Sequence, residues 1–159
     1  MFGLYLGYYL LDKNKISQSQ FDNLVHQLHK TRAKLGFIAV SEKLLTSKQA
    51  EEINEIQKKM DRRFGDIAIE KGYLLDEEVT HLLNLQGNSY LRFIQLLTEQ
   101  NILTLSDIEA CLEEFKQENH YSDSDMEALK SGDINRIIPV FVDADTPHTV
   151  ECISLTIRN

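Results

Sequence analysis

No run of eighteen apolar residues occurs in the 159 residues, which excludes a hydrophobic membrane-spanning helix. The apolar start, Met1 to Leu11, lacks a basic leader and a small-residue cleavage site, so it does not read as a signal peptide and a cytoplasmic location is expected. Cysteine is scarce: Cys111 and Cys152 both stand among apolar neighbours, a usage that fits reduced, buried thiols better than a disulfide framework. There is no Gly-x-Ser-x-Gly, no Gly-rich phosphate loop ending in Lys-Ser or Lys-Thr, and no histidine at a motif-like distance from either cysteine. His26 and His29 lie three apart without a third ligand of recognisable spacing. Asp123, Asp125 and Glu127 imitate the start of a calcium loop, but Ala128 and Ile134 stand where glycine and a bidentate glutamate are needed. Neither a metal site, a cofactor nor catalysis is expected.

Basic residues are scarce in the second half. Residues 1–80 carry twelve Lys or Arg against twelve Asp or Glu, and residues 81–159 carry five against thirteen, so the net charge of -8 lies wholly in the latter. General nucleic-acid binding is not expected from that balance. In the neutral half the cations cluster: Lys30, Arg32 and Lys34 form one group, and Lys58, Lys59, Arg62 and Arg63 another. The two groups read as equivalent positive patches.

What the sequence does contain is a period of 29 residues. Leu6-Gly7, Leu35-Gly36, Phe64-Gly65 and the weaker Phe93-Ile94 open four units, and Ile16, Leu45, Leu74 and Leu103 follow at a constant distance. A unit this short cannot bury its own apolar face, so the copies are expected to pack on one another and to offer a surface for binding. Each unit reads as two helices. In the second, a short apolar helix with Ile38, Ala39 and Val40 turns near Lys43-Leu44, and Thr46 to Gln49 forms a capping box ahead of Ala50, Ile53, Ile56 and Met60. In the third, Gly72 stops the first helix and Asp76-Glu77-Glu78 opens one with Val79, Leu82, Leu83 and Leu85 inward. Ser17 to Gln20 and Thr104 to Asp107 mark the same start in the outer units.

After Glu114 the composition changes. A helix start falls at Ser122 or Asp123, Lys130 to Asp133 reads as a stop and restart, and Thr146-Pro147 as a further helix start with Val150, Ile153 and Ile157 on one side. Between them Ile134, Ile137, Ile138 and Phe141 have helical spacing, whereas Pro139 leaves an extended Val140 to Val142 open as the alternative. The expected architecture is all-α: four tandem 29-residue helix pairs over 1–118, then C-terminal helices over 119–159 that open a further domain if the chain is the front of a longer protein.

The two central units, from Lys34-Leu35-Gly36 to Gln57 and from Arg63-Phe64-Gly65 to Gln86, resemble the tandem motif in the N-terminal domain of type II secretion and pilus-assembly ATPases. The chain is also similar to the region that precedes chemotaxis phosphatase domains of the CheX type in Gram-positive bacteria. The first resemblance implies a ligand, cyclic di-GMP, bound through an opening Arg-Leu-Gly, apolar residues that sandwich the guanines, and a closing Gln in each motif. Carried onto this chain, the candidates are Lys34, Leu35, Gly36, Gln57, Arg62, Arg63, Phe64, Gly65 and Gln86, with Leu45 and Leu74 on matching apolar positions. Four positions depart from the pattern. Lys34 replaces a planar arginine fork by a point charge, Ala39 and Ala68 replace leucines, and Lys43 replaces a glycine.

The chemistry of such a site is simple. A glycine just inside a short helix lets an anion approach backbone N–H groups, and a neighbouring Arg or Lys completes the neutralisation. The competing reading is that Gly36 and Gly65 only permit close helix packing, and that Lys34, Arg63, Gln57 and Gln86 are solvated helix ends. The sequence therefore leads to a non-catalytic regulatory or adaptor module that docks a protein partner or a further C-terminal domain. Cyclic di-GMP sensing is the alternative, and an enzyme whose active site lies in a further domain is a third.

Overall fold

The computed structural model describes residues 2–142 as ten helices, and no strand occurs among them. The helices are α1 (Phe2–Asp12), α2 (Gln18–Leu28), α3 (Leu35–Ser41), α4 (Ser47–Lys59), α5 (Phe64–Glu70), α6 (Asp76–Leu85), α7 (Ser89–Glu99), α8 (Leu105–Glu118), α9 (Asp123–Ser131) and α10 (Ile134–Val142). The expected helix start at Thr146-Pro147, its apolar residues and Cys152 lie outside the described residues.

Local structure follows the caps. Ser17, Thr46, Thr104 and Ser122 each accept a hydrogen bond from the backbone N–H three residues on, and the side chain there accepts one from the cap's own N–H. These boxes satisfy two orphan donors at the starts of α2, α4, α8 and α9. Leu75 has no acceptor to offer, so α6 keeps only half the box, with Glu78 Oε2 accepting from Leu75 N–H at 2.8 Å. Asn88 caps α7 through its Oδ1 and donates from Nδ2 to the Lys130 carbonyl at 2.7 Å, which ties the start of α7 to the end of α9.

Element boundaries recur at fixed intervals. Gln18, Ser47, Asp76 and Leu105 open α2, α4, α6 and α8, each 29 residues after the last, and α1, α3, α5 and α7 end at Asp12, Ser41, Glu70 and Glu99 with the same spacing. In each connection one residue takes a left-handed conformation: Asn14, Lys43, Gly72 and Asn101 have φ of 55°, 60°, 72° and 53°. The N–H that follows it donates back to the carbonyl of Leu10, Ala39, Ala68 or Leu97 at 2.9 to 3.0 Å. That bond closes the helix end and turns the chain toward the next helix.

Tertiary packing does not follow the same interval. α3 packs on α6 and α4 on α5, as neighbouring units should, but the main partner of α1 is α7, which also receives α2. The reason lies in α7, where Tyr90, Leu91, Phe93, Ile94, Gln95, Leu96 and Leu97 are all buried, so the helix is apolar over most of its circumference and takes neighbours on several sides. Leu6, Leu10, Leu24, Ile53, Leu82 and Phe93 are fully buried in one hydrophobic cluster. Tyr121, Met126, Leu129, Ile137 and Val140 join the same cluster, and Phe141 meets Tyr5 edge-on with ring centroids 5.9 Å apart.

Several inward assignments are corrected by this packing. Met60 and Leu83 are exposed, and Ile56, Val79 and Leu85 are half-buried, because helical periodicity names a stripe without saying how far the neighbouring helix reaches over it. Val140 to Val142 are helical rather than extended. Pro139 removes the bond to the Asn135 carbonyl, but Ile137 and Val140 are buried on one side of α10 and their packing outweighs that loss.

Candidate functional site

Lys34 and Arg63 sit at the same place in successive units, as N-caps of the seven-residue helices α3 and α5. Neither cap makes a side-chain bond to the helix start. Lys34 Nζ instead pairs with Glu99 Oε1 at 2.5 Å, and Arg63 Nε lies 3.4 Å from Asp66 Oδ2 with the side chain 91% exposed. Arg62 pairs with Glu70. Gln57 Nε2 donates to the Arg62 carbonyl at 3.0 Å. Gln86 Nε2 donates to the Ala33 carbonyl at 3.1 Å, while its Oε1 accepts from Arg32 at 2.9 Å. The two glutamines are thus not solvated ends: each fastens a connection between units.

The glycines serve packing. A Cβ on Gly36 would come within 3.0 Å of the Phe64 ring, and one on Gly65 within 2.6 Å of Val79 Cγ1. Phe64 is itself buried and Leu35 half-buried. Leu45 and Leu74, on the positions that cover the guanines in the resembled motif, are buried in the core. The sides of α3 and α5 that carry Gly36 and Gly65 are therefore packed against apolar side chains of the protein. Of two surface clefts, of about 460 and 440 Å³, the second contains one of the nine candidates, Gln86, and the first none.

No family model, curated protein or solved structure matches the chain. The likeness to the secretion ATPase domain accordingly stands on the motif residues themselves.

The two basic clusters are not equivalent. Lys58 pairs with Glu55 at 2.6 Å, and Arg62 and Arg63 have carboxylates of α5 beside them. In the first cluster only Lys34 has a carboxylate partner. Lys30 contacts His26 Nε2 at 3.2 Å and Arg32 the amide of Gln86, neither of them a carboxylate. Arg92 joins them from α7, with one guanidinium nitrogen donating to the Leu28 carbonyl at 3.3 Å. Sequence reasoning missed Arg92, although it stands 29 residues after Arg63 and the period could have found it.

The larger cleft runs along α8, with Leu105, Ile108 and Leu112 at its base and Tyr90 beside them. Burial pushes the Tyr90 phenol well above its ordinary range, with Glu42 and Glu109 adding to the effect. Cys111 is buried nearby on α8, and burial pushes its thiol up as well, away from the reactive thiolate. Among the described residues no group of three His, Cys, Asp or Glu is placed to hold a metal, and no helix is long and apolar enough to cross a membrane.

Proposed function

We propose that this chain is a non-catalytic regulatory or adaptor module, built of tandem 29-residue helix pairs, that docks a partner domain or assembly. The observation that carries the reading is the outer side of α10. Ile134, Ile138 and Val142, spaced by one helical turn, are 45%, 51% and 74% exposed, while Ile137 and Val140 fill the core on the other side. An apolar line along a helix that is already anchored, left uncovered among the described residues, suits a partner surface. The bonds that Lys34, Arg62, Gln57 and Gln86 make within the fold support the same reading.

Replacing Ile134, Ile138 and Val142 together by serine should abolish association with the partner recovered with the wild-type chain from its own cells. The melting temperature should stay within a few degrees, because exposed side chains contribute only about half a kcal/mol each to stability. Retained association in the folded triple variant would exclude α10 as the docking face.

Cyclic di-GMP sensing has one observation in its favour: Lys34 and Arg63 cap two helices of equal length at equivalent places, and Arg63 is almost fully exposed. Calorimetry at low salt, where phosphate contacts are strongest, distinguishes the readings. The expected result is no heat of binding for cyclic di-GMP beyond a GTP control. Specific micromolar binding that weakens in Arg63→Ala and Gln86→Ala would put the nucleotide reading first.

A further inference from the structure

The smaller cleft, of about 440 Å³, lies where the connection after α2 passes between the end of α6 and the start of α7. His29, Lys30, Arg32, Gln86, Gly87 and Arg92 line it, and no carboxylate does. Elsewhere on the described surface Lys13, Lys34, Lys43, Lys58, Arg62, Arg63, Lys71 and Lys116 each stand beside an acidic group. In a chain of net charge -8, three cations gathered without an acid between them repel one another and hold a local positive potential that an anion would relieve. The cleft is also partly pre-set. Gln86 fixes the Arg32 guanidinium at 2.9 Å, and Arg92 is held through the Leu28 carbonyl while its Nε is buried with no hydrogen-bond partner.

We propose that this cleft binds a small phosphate-bearing anion, with Arg32 and Arg92 pairing its oxygens and Lys30 adding charge at the rim. Two planar guanidinium forks match phosphate geometry better than ammonium groups do. The volume falls in the range of small-molecule sites, and the exposed side chain of Leu83 forms an apolar wall for the organic part of a phosphate ester. Apart from Gln86, none of these residues belongs to the resembled motif, and the site is independent of the docking side of α10.

The test is a titration of the full chain with inorganic phosphate, pyrophosphate and phenyl phosphate, followed by amide and arginine side-chain NMR at low salt. Saturable shifts at Gly87 and at the Arg32 guanidinium are expected, with phenyl phosphate tighter than inorganic phosphate. Arg32→Gln and Arg92→Gln should each weaken binding by at least about tenfold, the loss of one charge-assisted hydrogen bond. Arg63→Gln, in the other cluster, should leave it unchanged. Should Arg92→Gln fail to fold by circular dichroism, the double substitution Lys30→Gln with Arg32→Gln, both at exposed positions, carries the same expectation. Shifts that do not saturate by about 10 mM, shifts spread equally over Lys58 to Arg63, or affinity indifferent to these substitutions would overturn the proposal.

Discussion

Replacing Phe93 with alanine is expected to destabilise the protein by about 3–5 kcal/mol, toward the upper end for a buried aromatic. Phe93 is fully buried and lies along the glycine side of α1. A Cβ on Gly3 would come within 3.0 Å of Phe93 Cβ, and one on Gly7 within 3.0 Å of Phe93 Cζ. Removing the ring leaves a void against two residues without side chains, so little can collapse into it, and the residual cavity adds to the lost transfer energy. Because α1 finds its main partner in α7, the substitution also tests whether that contact closes the first and fourth helix pairs on each other. Urea unfolding is the measurement. A loss below about 1.5 kcal/mol, the size of a volume-conserving swap, would mean that α1 is held elsewhere.

Local features of this fold were legible because their causes are local. Ser17, Thr46, Thr104 and Ser122 announce their helices through side chains three residues apart, and the structure makes every one of those bonds. Gly72 announced its left-handed turn, and Asn14 and Asn101 are of a type that tolerates it, but Lys43 adopts the same conformation with a residue that carries no such signal. What escaped the sequence depends on the third dimension. The exposure of Met60 and Leu83 is set by where neighbouring helices end. The two basic clusters look alike along the chain and differ only because Glu55, Asp66 and Glu70 fall beside one of them, while Arg92 arrives at the other from a distant helix. The glycines of the resembled motif were read as open to a ligand or closed by packing, and only the position of the Phe64 ring and of Val79 shows them closed.

Gln95→Leu is expected to lower stability by about 1–3 kcal/mol, although leucine matches the volume and is the more hydrophobic residue. Gln95 is 1% exposed and is the buried polar side chain of α7. Its Oε1 accepts from Lys34 N–H at 2.8 Å, and its Nε2 donates to the Arg32 carbonyl at 3.3 Å. Leucine would leave a donor at the start of α3 and an acceptor in the preceding connection without partners, and an unmade buried bond costs more than the added apolar surface returns. The effect should be local as well as global. Hydrogen exchange at the Lys34 amide should accelerate by more than about tenfold relative to amides in the middle of α8, because the connection can then open without unfolding the core. The same connection carries Lys30 and Arg32, so pyrophosphate binding at the cleft should weaken in parallel while Arg92 itself is untouched. Unchanged protection at Lys34 together with a stability change under about half a kcal/mol, the scale of a neutral surface substitution, would show that Gln95 does not hold the connection in place.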